Sequence, residues 1–233
     1  MSSISAFLSI SRYWPLLLTV AAYLFAVWLQ RKTKLTLLNP ILISALLIIP
    51  VLLLSGTSLD AYTKGTEPLS YLLTPATICL GLSLYEQLQK LKNDLPAVLA
   101  GVIAGTITSL GTVWGICALF GVGKDVTVSM LPKSVTTAIG IALSEQGNGI
   151  VALTAAVIVI TGLFGNLAGG LLSKLLHIKD PVARGVAYGT ASHVIGTSRA
   201  ITEGAMTGAV SSLSLAVAGL LTAILFPIVT AWI

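Results

Sequence analysis

The chain has 233 residues, of which 55% are hydrophobic and only 9% are charged. Soluble domains carry roughly 25% charged residues, because their surface must be hydrated. With 13 basic and 8 acidic residues, this composition excludes a soluble enzyme, a nucleic-acid-binding domain and a disordered chain. The bilayer is therefore the expected solvent for most of the protein.

Six apolar runs are long enough to cross a bilayer core, which takes about 20 residues per helix. In chain order they cover residues 14–29, 37–55, 70–88, 96–120, 149–172 and 206–233. A polar loop with Asp60, Lys64 and Glu67 separates the second run from the third. The fifth run contains GLFGNLAGG, residues 162–170, whose small side chains favour close packing against a neighbouring helix.

Two further segments are only moderately apolar, and polar residues, glycines or a proline interrupt each of them. They are residues 126–148, VTVSMLPKSVTTAIGIALSEQGN, and residues 184–204, RGVAYGTASHVIGTSRAITEG. Each places one cation at expected membrane depth, Lys133 in the first and Arg199 in the second. The interruptions predict broken or re-entrant helices rather than ordinary spanning ones.

The basic residues indicate how these segments are oriented, because cytoplasmic loops collect Lys and Arg. If both segments enter and leave on the same side, eight basic residues share one face and three share the other. The eight are Arg31, Lys32, Lys34, Lys90, Lys92, Lys174, Lys179 and Arg184, and the three are Arg12, Lys64 and Lys124. If residues 126–148 cross the membrane, this bias disappears. The count favours the re-entrant arrangement, with both termini outside the cytoplasm.

These patterns predict an all-α polytopic membrane protein with about six spanning helices and two broken or re-entrant helical elements. Residues 1–233 are expected to form a single integral domain in the cell inner (cytoplasmic) membrane. The two broken elements approach from opposite faces, which is compatible with an inverted repeat. Secondary transporters use such repeats to place a site near the bilayer midplane.

The first candidate binding segment is LPKSVTTAIG, residues 131–140. A half-helix that begins near Pro132 would direct free N–H groups and a positive dipole end toward an anion. Lys133 adds a full charge, and Ser134, Thr136 and Thr137 add hydroxyl donors. The alternative is that Lys133 extends to the interface and Ser134 only caps a helix.

The second candidate segment is GTASHVIGTSRA, residues 189–200. Arg199 can bind a carboxylate in a bidentate manner, and Thr197 offers a hydroxyl. His193 titrates near neutral pH and could carry a coupled proton, although a lone histidine on an apolar face is more often a core residue. Supporting residues around the site are Asn39, Glu145 and Glu203, and either glutamate could instead pair with a cation or mark an interface.

No catalytic set is recognisable in the chain: there is no GxSxG, HExxH, phosphate-binding loop or Cys/His metal spacing. We therefore expect no enzyme activity, no cofactor and no metal site. Cys79 and Cys117 both lie in apolar runs, which predicts that they are small buried side chains.

The motifs LLNPILI, LSLYEQL, SMLPKSVTTAIG, GTASHVIGTSRA and GAVSSLSLAVAGLLT resemble those of the LrgB/CidB family of bacterial membrane proteins. The resemblance extends from about Leu37 to the C-terminus. It implies a partner, a small LrgA/CidA-type membrane protein. It also implies one of two functions. Some members are linked to transport of small carboxylates such as glycolate, glycerate or pyruvate. Others are described as holin-like or antiholin-like regulators of murein hydrolase activity and autolysis.

The embedded cations favour the first function, secondary transport of a small organic anion, because a lesion-forming protein needs no cationic site at the midplane. The regulatory function is the alternative. The expected partners are the LrgA/CidA-type protein, the carboxylate substrate and the lipid bilayer. No nucleic-acid partner is expected. The sequence is compatible with a homo-oligomer.

Overall fold

The computed structural model describes residues 13–33, 40–72, 75, 78–79 and 94–233. Within these residues the secondary structure is helical. The helices are α1 (Trp14–Thr33), α2 (Pro40–Ser55), α3 (Leu59–Ser70), α4 (Leu95–Leu119), α5 (Lys124–Met130), α6 (Thr137–Gln146), α7 (Val151–Leu175), α8 (Pro181–Glu203) and α9 (Ala205–Thr230). The predicted all-α membrane fold is confirmed.

Four of these helices, α1, α4, α7 and α9, are long and apolar enough to cross a membrane, and α2 is a shorter apolar helix. They match five of the six predicted spans. The remaining one, 70–88, falls largely outside the described residues. The predicted polar loop around Lys64 is instead the helix α3, which begins where the Ser58 hydroxyl accepts from the Ala61 N–H at 3.3 Å.

The chain divides into two compact units, Met1–Cys79 and Leu80–Ile233. The first unit contains α1, α2 and α3. Within it, α1 packs against both other helices, and the Thr19 and Tyr62 hydroxyls share a hydrogen bond of 2.7 Å. The C-terminal turn of α1 carries Arg31 and Lys32, and these cations complement the negative end of the helix dipole. The sequence prediction of one domain over residues 1–233 stays a prediction.

In the second unit, residues 124–146 form a first helical hairpin. Helices α5 and α6 are separated by a non-helical turn at residues 131–136. On either side of the turn, Ser129 and Ser144 both reach the start of α7, where the Thr154 hydroxyl donates to the Ser129 carbonyl at 3.0 Å and to the Ser144 hydroxyl at 2.8 Å. The chain therefore reverses direction within the turn.

Helix α8 forms a second helical hairpin, residues 181–203, because its backbone breaks at Ser192 (φ −134°, ψ 15°) and His193 (φ 41°, ψ −140°). Arg184 and Glu203 lie 19 residues apart and still form an ion pair. A straight helix would separate them by about 28 Å. The two halves of α8 therefore run back along each other. Both segments that the sequence marks as broken are broken in the structure.

The two hairpins enter from opposite ends of α7. The first contacts the start of α7, where the Ile150 N–H donates to the Ser129 hydroxyl at 2.6 Å. The second packs against its far end, where Tyr188 lies against Gly169. Both reach Ile158, the eighth of the 25 residues of α7: Gly140 packs on its side chain, and the His193 ring bonds its carbonyl at 2.8 Å.

Two apolar clusters hold the hairpins in place. One joins α4 and α9 to the first hairpin, and its buried members are Leu110, Val113, Cys117, Val128, Leu131, Leu143 and Phe226. The other joins the opposite halves of the same two helices, with Val98, Val102, Val210 and Ala218 buried at its centre. The side chains of Val182 and Val186 on α8 pack against this second cluster. Helices α4 and α9 thus pack against both hairpins.

Candidate functional site

Lys133 lies at the tip of the first hairpin, in the turn between α5 and α6. Its ammonium donates to the Ser134 hydroxyl at 2.9 Å and to the Ser109 hydroxyl of α4 at 3.3 Å. The two hydroxyls lie 3.2 Å apart and share a hydrogen bond. The side chain is half-buried, and over the described part of the chain no carboxylate forms an ion pair with it.

A cavity of 410 Å³ lies beside Lys133, between α4 and the first half of α8. Small-molecule sites usually fall between roughly 300 and 1,000 Å³. The lining residues are Ala104, Gly105, Thr108, Ser109, Lys133, Ala187, Thr190 and Ala191. Most of these side chains are small, and the polar groups are one ammonium and three hydroxyls. The cavity therefore suits a small ligand that carries a negative charge.

The helix ends at the two hairpin tips contribute less to the preference for an anion than Lys133 does. The N-terminal ends of α6 and of the second half of α8 lie at the tips and carry partial positive charge. The first halves end at the same tips with their carbonyl ends, which carry the opposite partial charge of about 0.5 each. Since these contributions oppose one another, the full charge of Lys133 decides the sign of the site.

The structure places His193 and Thr197 in the packing of the second hairpin. The His193 ring is 3% exposed and donates from Nε2 to the Ile158 carbonyl, next to Gly162. The Thr197 hydroxyl donates to the His193 carbonyl at 2.9 Å and bonds Ser211 of α9 at 2.8 Å. Neither residue lines the cavity. This arrangement matches the core alternative for His193.

Arg199 lies near the base of the second hairpin and does not line the Lys133 cavity. Its Nε donates to Glu203 Oε1 at 3.1 Å, so this carboxylate offsets its charge. Glu203 also pairs with Arg184 and accepts from the Tyr188 hydroxyl at 2.9 Å. The sequence left either cation, Lys133 or Arg199, as a possible partner of Glu203. In the structure Glu203 pairs with Arg199.

The remaining candidate residues are spread over the first hairpin. Thr136 is the N-cap of α6 and makes no side-chain capping bond, while Thr137 begins the helix and is exposed. Glu145 is exposed near the end of α6, away from the tip. Asn39 lies outside the described residues.

The sequence patterns did not indicate two residues at the hairpins, Ser109 and Asn166. Ser109 comes from a run rich in Gly, Ala and Thr, where nothing distinguishes it from its neighbours. Asn166 of α7 donates to the Ile195 carbonyl at 2.9 Å and to the Ser198 hydroxyl at 3.3 Å, just beyond the break in α8. In the sequence, Asn166 could have been recognised as a single polar side chain within an apolar run.

Comparison with known proteins gives a consistent result over almost the whole chain. The sequence profile of the LrgB-like family matches residues 19–232. A protein named holin-like protein CidB from Staphylococcus aureus (strain N315) is 36% identical over 213 residues, which cover 91% of this chain and 93% of the relative. One named antiholin-like protein LrgB from Bacillus subtilis (strain 168) is 32% identical over 221 residues, covering 94% and 96%. No solved structure matches the chain.

Proposed function

This chain belongs to the LrgB-like family, and we propose that it is a secondary transporter of small organic anions of the glycolate, glycerate or pyruvate type in the cytoplasmic membrane. One observation carries the proposal. The Lys133 ammonium is held by two serine hydroxyls beside a 410 Å³ cavity, and among the described residues no carboxylate pairs with it.

Placing the Lys133 ammonium within the membrane carries a free-energy cost. A Lys at the centre of a membrane helix costs roughly 2.5–3.5 kcal/mol on insertion scales. Serine hydroxyls solvate the ammonium but leave its charge in place, so an anion that enters the cavity gains a charge-assisted hydrogen bond. The two hairpins support the proposal further, because interrupted helices that meet near mid-depth are the usual setting of transporter sites.

Uptake into proteoliposomes tests this function. Purified protein should accumulate labelled glycolate, glycerate or pyruvate, and Lys133→Ala should abolish uptake without reducing the amount of folded protein. Lys124→Ala is the matched control, because Lys124 is exposed at the start of α5 and should leave uptake unchanged. Normal uptake by Lys133→Ala would refute the site.

A second function is favoured by the names of the relatives, which are called holin-like and antiholin-like. In that role the chain would regulate murein hydrolase activity and autolysis rather than carry a substrate. Liposomes loaded with a dye too large for the 410 Å³ cavity distinguish the two. Dye release supports a lesion-forming role, whereas anion uptake without dye release supports transport.

The proposed partner is a small LrgA/CidA-type membrane protein. A partner that binds only the folded chain stabilises it by mass action. Co-expression should therefore raise the midpoint of thermal unfolding of this chain in detergent. Unchanged stability, together with full uptake activity of the chain alone, would argue against this partner.

A further inference from the structure

A second cavity, of 360 Å³, lies at the base of the second hairpin, where α7 ends and α8 begins. Its lining residues are Ser173, Lys174, His177, Ile178, Lys179 and Arg184. It shares no lining residue with the Lys133 cavity, and the proposed transport function does not use it.

The turn that ends α7 brings these basic residues together. The Ile178 N–H donates to the Ser173 carbonyl at 2.8 Å, and the His177 N–H donates to the Lys174 carbonyl at 3.2 Å. This is a Schellman motif, in which the residue at the position of His177 adopts a positive φ and is usually glycine. His177 adopts φ 55° in place of that glycine. Its ring therefore joins the wall of the cavity.

The charge balance around this cavity is positive. The two nearby acids do not balance the three cations Lys174, Lys179 and Arg184: Asp180 accepts from the Ala183 N–H at 2.8 Å, and Glu203 is shared between Arg184 and Arg199. Lys174 and Lys179 form no ion pair with any described carboxylate. The two lysines are thus available to an external anion.

The apolar surface next to the cavity indicates which anion it takes. The side chains of Leu171, Leu172, Leu175 and Leu176 are 69%, 42%, 69% and 65% exposed, and they flank the same end of α7. This helix is long and apolar enough to span a membrane, so its charged end lies at the level of lipid headgroups. An exposed apolar surface and a basic cavity at the same end of a membrane helix match a ligand that carries both acyl chains and a phosphate.

We propose that this basal cavity binds the phosphate headgroup of an anionic phospholipid, with the acyl chains against the exposed apolar surface at this end of α7. Basic clusters beside membrane helices attract anionic lipids by about 1 kcal/mol for each Lys or Arg. The phosphate oxygens would accept from Lys174 and Lys179, and the Ser173 hydroxyl and the His177 ring lie within the same wall.

Thermal unfolding of the full chain in an uncharged detergent tests the proposal. Phosphatidylglycerol should raise the midpoint, and phosphatidylcholine or inorganic phosphate at equal concentration should not. Replacing both lysines (Lys174→Gln with Lys179→Gln) should weaken the apparent affinity for phosphatidylglycerol about 25-fold, about fivefold for each charge. Native mass spectrometry of the same samples should show fewer retained lipids.

The matched control is Lys64→Gln with Lys124→Gln, which removes the same charge from two exposed lysines elsewhere. The control should respond to phosphatidylglycerol as the unmodified chain does. Equal loss of affinity in both double variants would overturn the site, since the effect would then be one of net charge. A midpoint raised as much by inorganic phosphate as by phosphatidylglycerol would overturn its assignment to a lipid.

Discussion

At the scale of single residues, the candidate site depends on what surrounds Lys133. Hydroxyl groups at 2.9 and 3.3 Å lower the cost of burying an ammonium without cancelling its charge. A carboxylate in the same place would form an internal ion pair and leave nothing for a ligand. Arg199 illustrates the second situation, because Glu203 already lies 3.1 Å from its Nε.

Ser109→Ala tests the role of the hydroxyl on α4. It removes one of the two hydroxyl partners of the ammonium, and hydrogen bonds to charged groups contribute about 1.5–3 kcal/mol. We expect the KM for anion uptake to rise at least tenfold, while Ser109→Asp should abolish uptake by neutralising Lys133. Ser212→Ala is the control, because among the described residues that hydroxyl bonds within its own helix, at the Gly208 carbonyl. Unchanged KM in Ser109→Ala would contradict the assigned role.

Glu203 should matter more for stability than either of its arginines. Glu203→Gln leaves two cations without a counter-charge at a side chain that is 10% exposed, whereas Arg199→Gln leaves the Arg184 pair intact. We expect Glu203→Gln to cost about 2 kcal/mol, between the limits for surface and buried pairs. Thermal unfolding in detergent measures the difference. Equal destabilisation by both changes would show that the cluster does not act through Glu203.

At the scale of elements, the second hairpin is held against α7 by residues without bulky side chains. Gly162 faces His193, Gly165 faces Ser192 and Gly169 faces the Tyr188 ring. The absence of Cβ atoms lets the break at residues 192 and 193 reach the middle of α7. His193 adopts φ 41° there, a strained conformation for a residue with a side chain, and its bond to Ile158 helps to hold it.

Gly165→Ala should displace the second hairpin. The added methyl group would overlap the Ser192 hydroxyl and Cβ, and overpacking of this kind costs about 1–3 kcal/mol. Gly111→Ala in α4 is the matched control, because a Cβ there meets no atom within 4 Å. Thermal unfolding should show a lower midpoint for Gly165→Ala only. Equal midpoints for the two variants would mean that the hairpin does not pack as described.

At the scale of the second unit, the two hairpins start from opposite ends of α7 and point toward each other. The first begins near the start of α7, the second begins at its end, and both reach Ile158. Lys124 and Lys179 therefore lie at opposite ends of a helix of 25 residues, about 37 Å long. The positive-inside rule then predicts that Lys179 and the basal cavity face the cytoplasm.

Cysteine labelling tests this orientation. In a chain with Cys79 and Cys117 replaced by Ser, a single Lys124→Cys should react with an impermeant thiol reagent on intact cells. Lys179→Cys should react only after the membrane is made permeable. Labelling of both positions from outside would contradict the opposed hairpins, and labelling of Lys179→Cys alone would reverse the orientation.

The amino-acid sequence determined the class of fold and the places where helices break. Continuous apolar runs of about 20 residues predict membrane helices, because a helix satisfies its backbone hydrogen bonds within its own segment. Pro132 and the polar stretch that follows it marked one break, and the glycines at 189 and 196 marked the other. The same patterns indicated Lys133 as a cation at membrane depth, and GLFGNLAGG as a packing surface.

Only the tertiary structure decided which of the marked residues meet. Lys133 and Arg199 look alike in the sequence, each a cation in a broken segment, but Arg199 pairs with Glu203 one helical turn further on, the reversal within α8 adds Arg184 to the same carboxylate, and Lys133 lies beside the cavity. Ser109 joined the site because α4 passes the hairpin tip, a contact between residues 24 positions apart. Such contacts depend on how helices pack side by side, and a local pattern of residues carries no information about that packing.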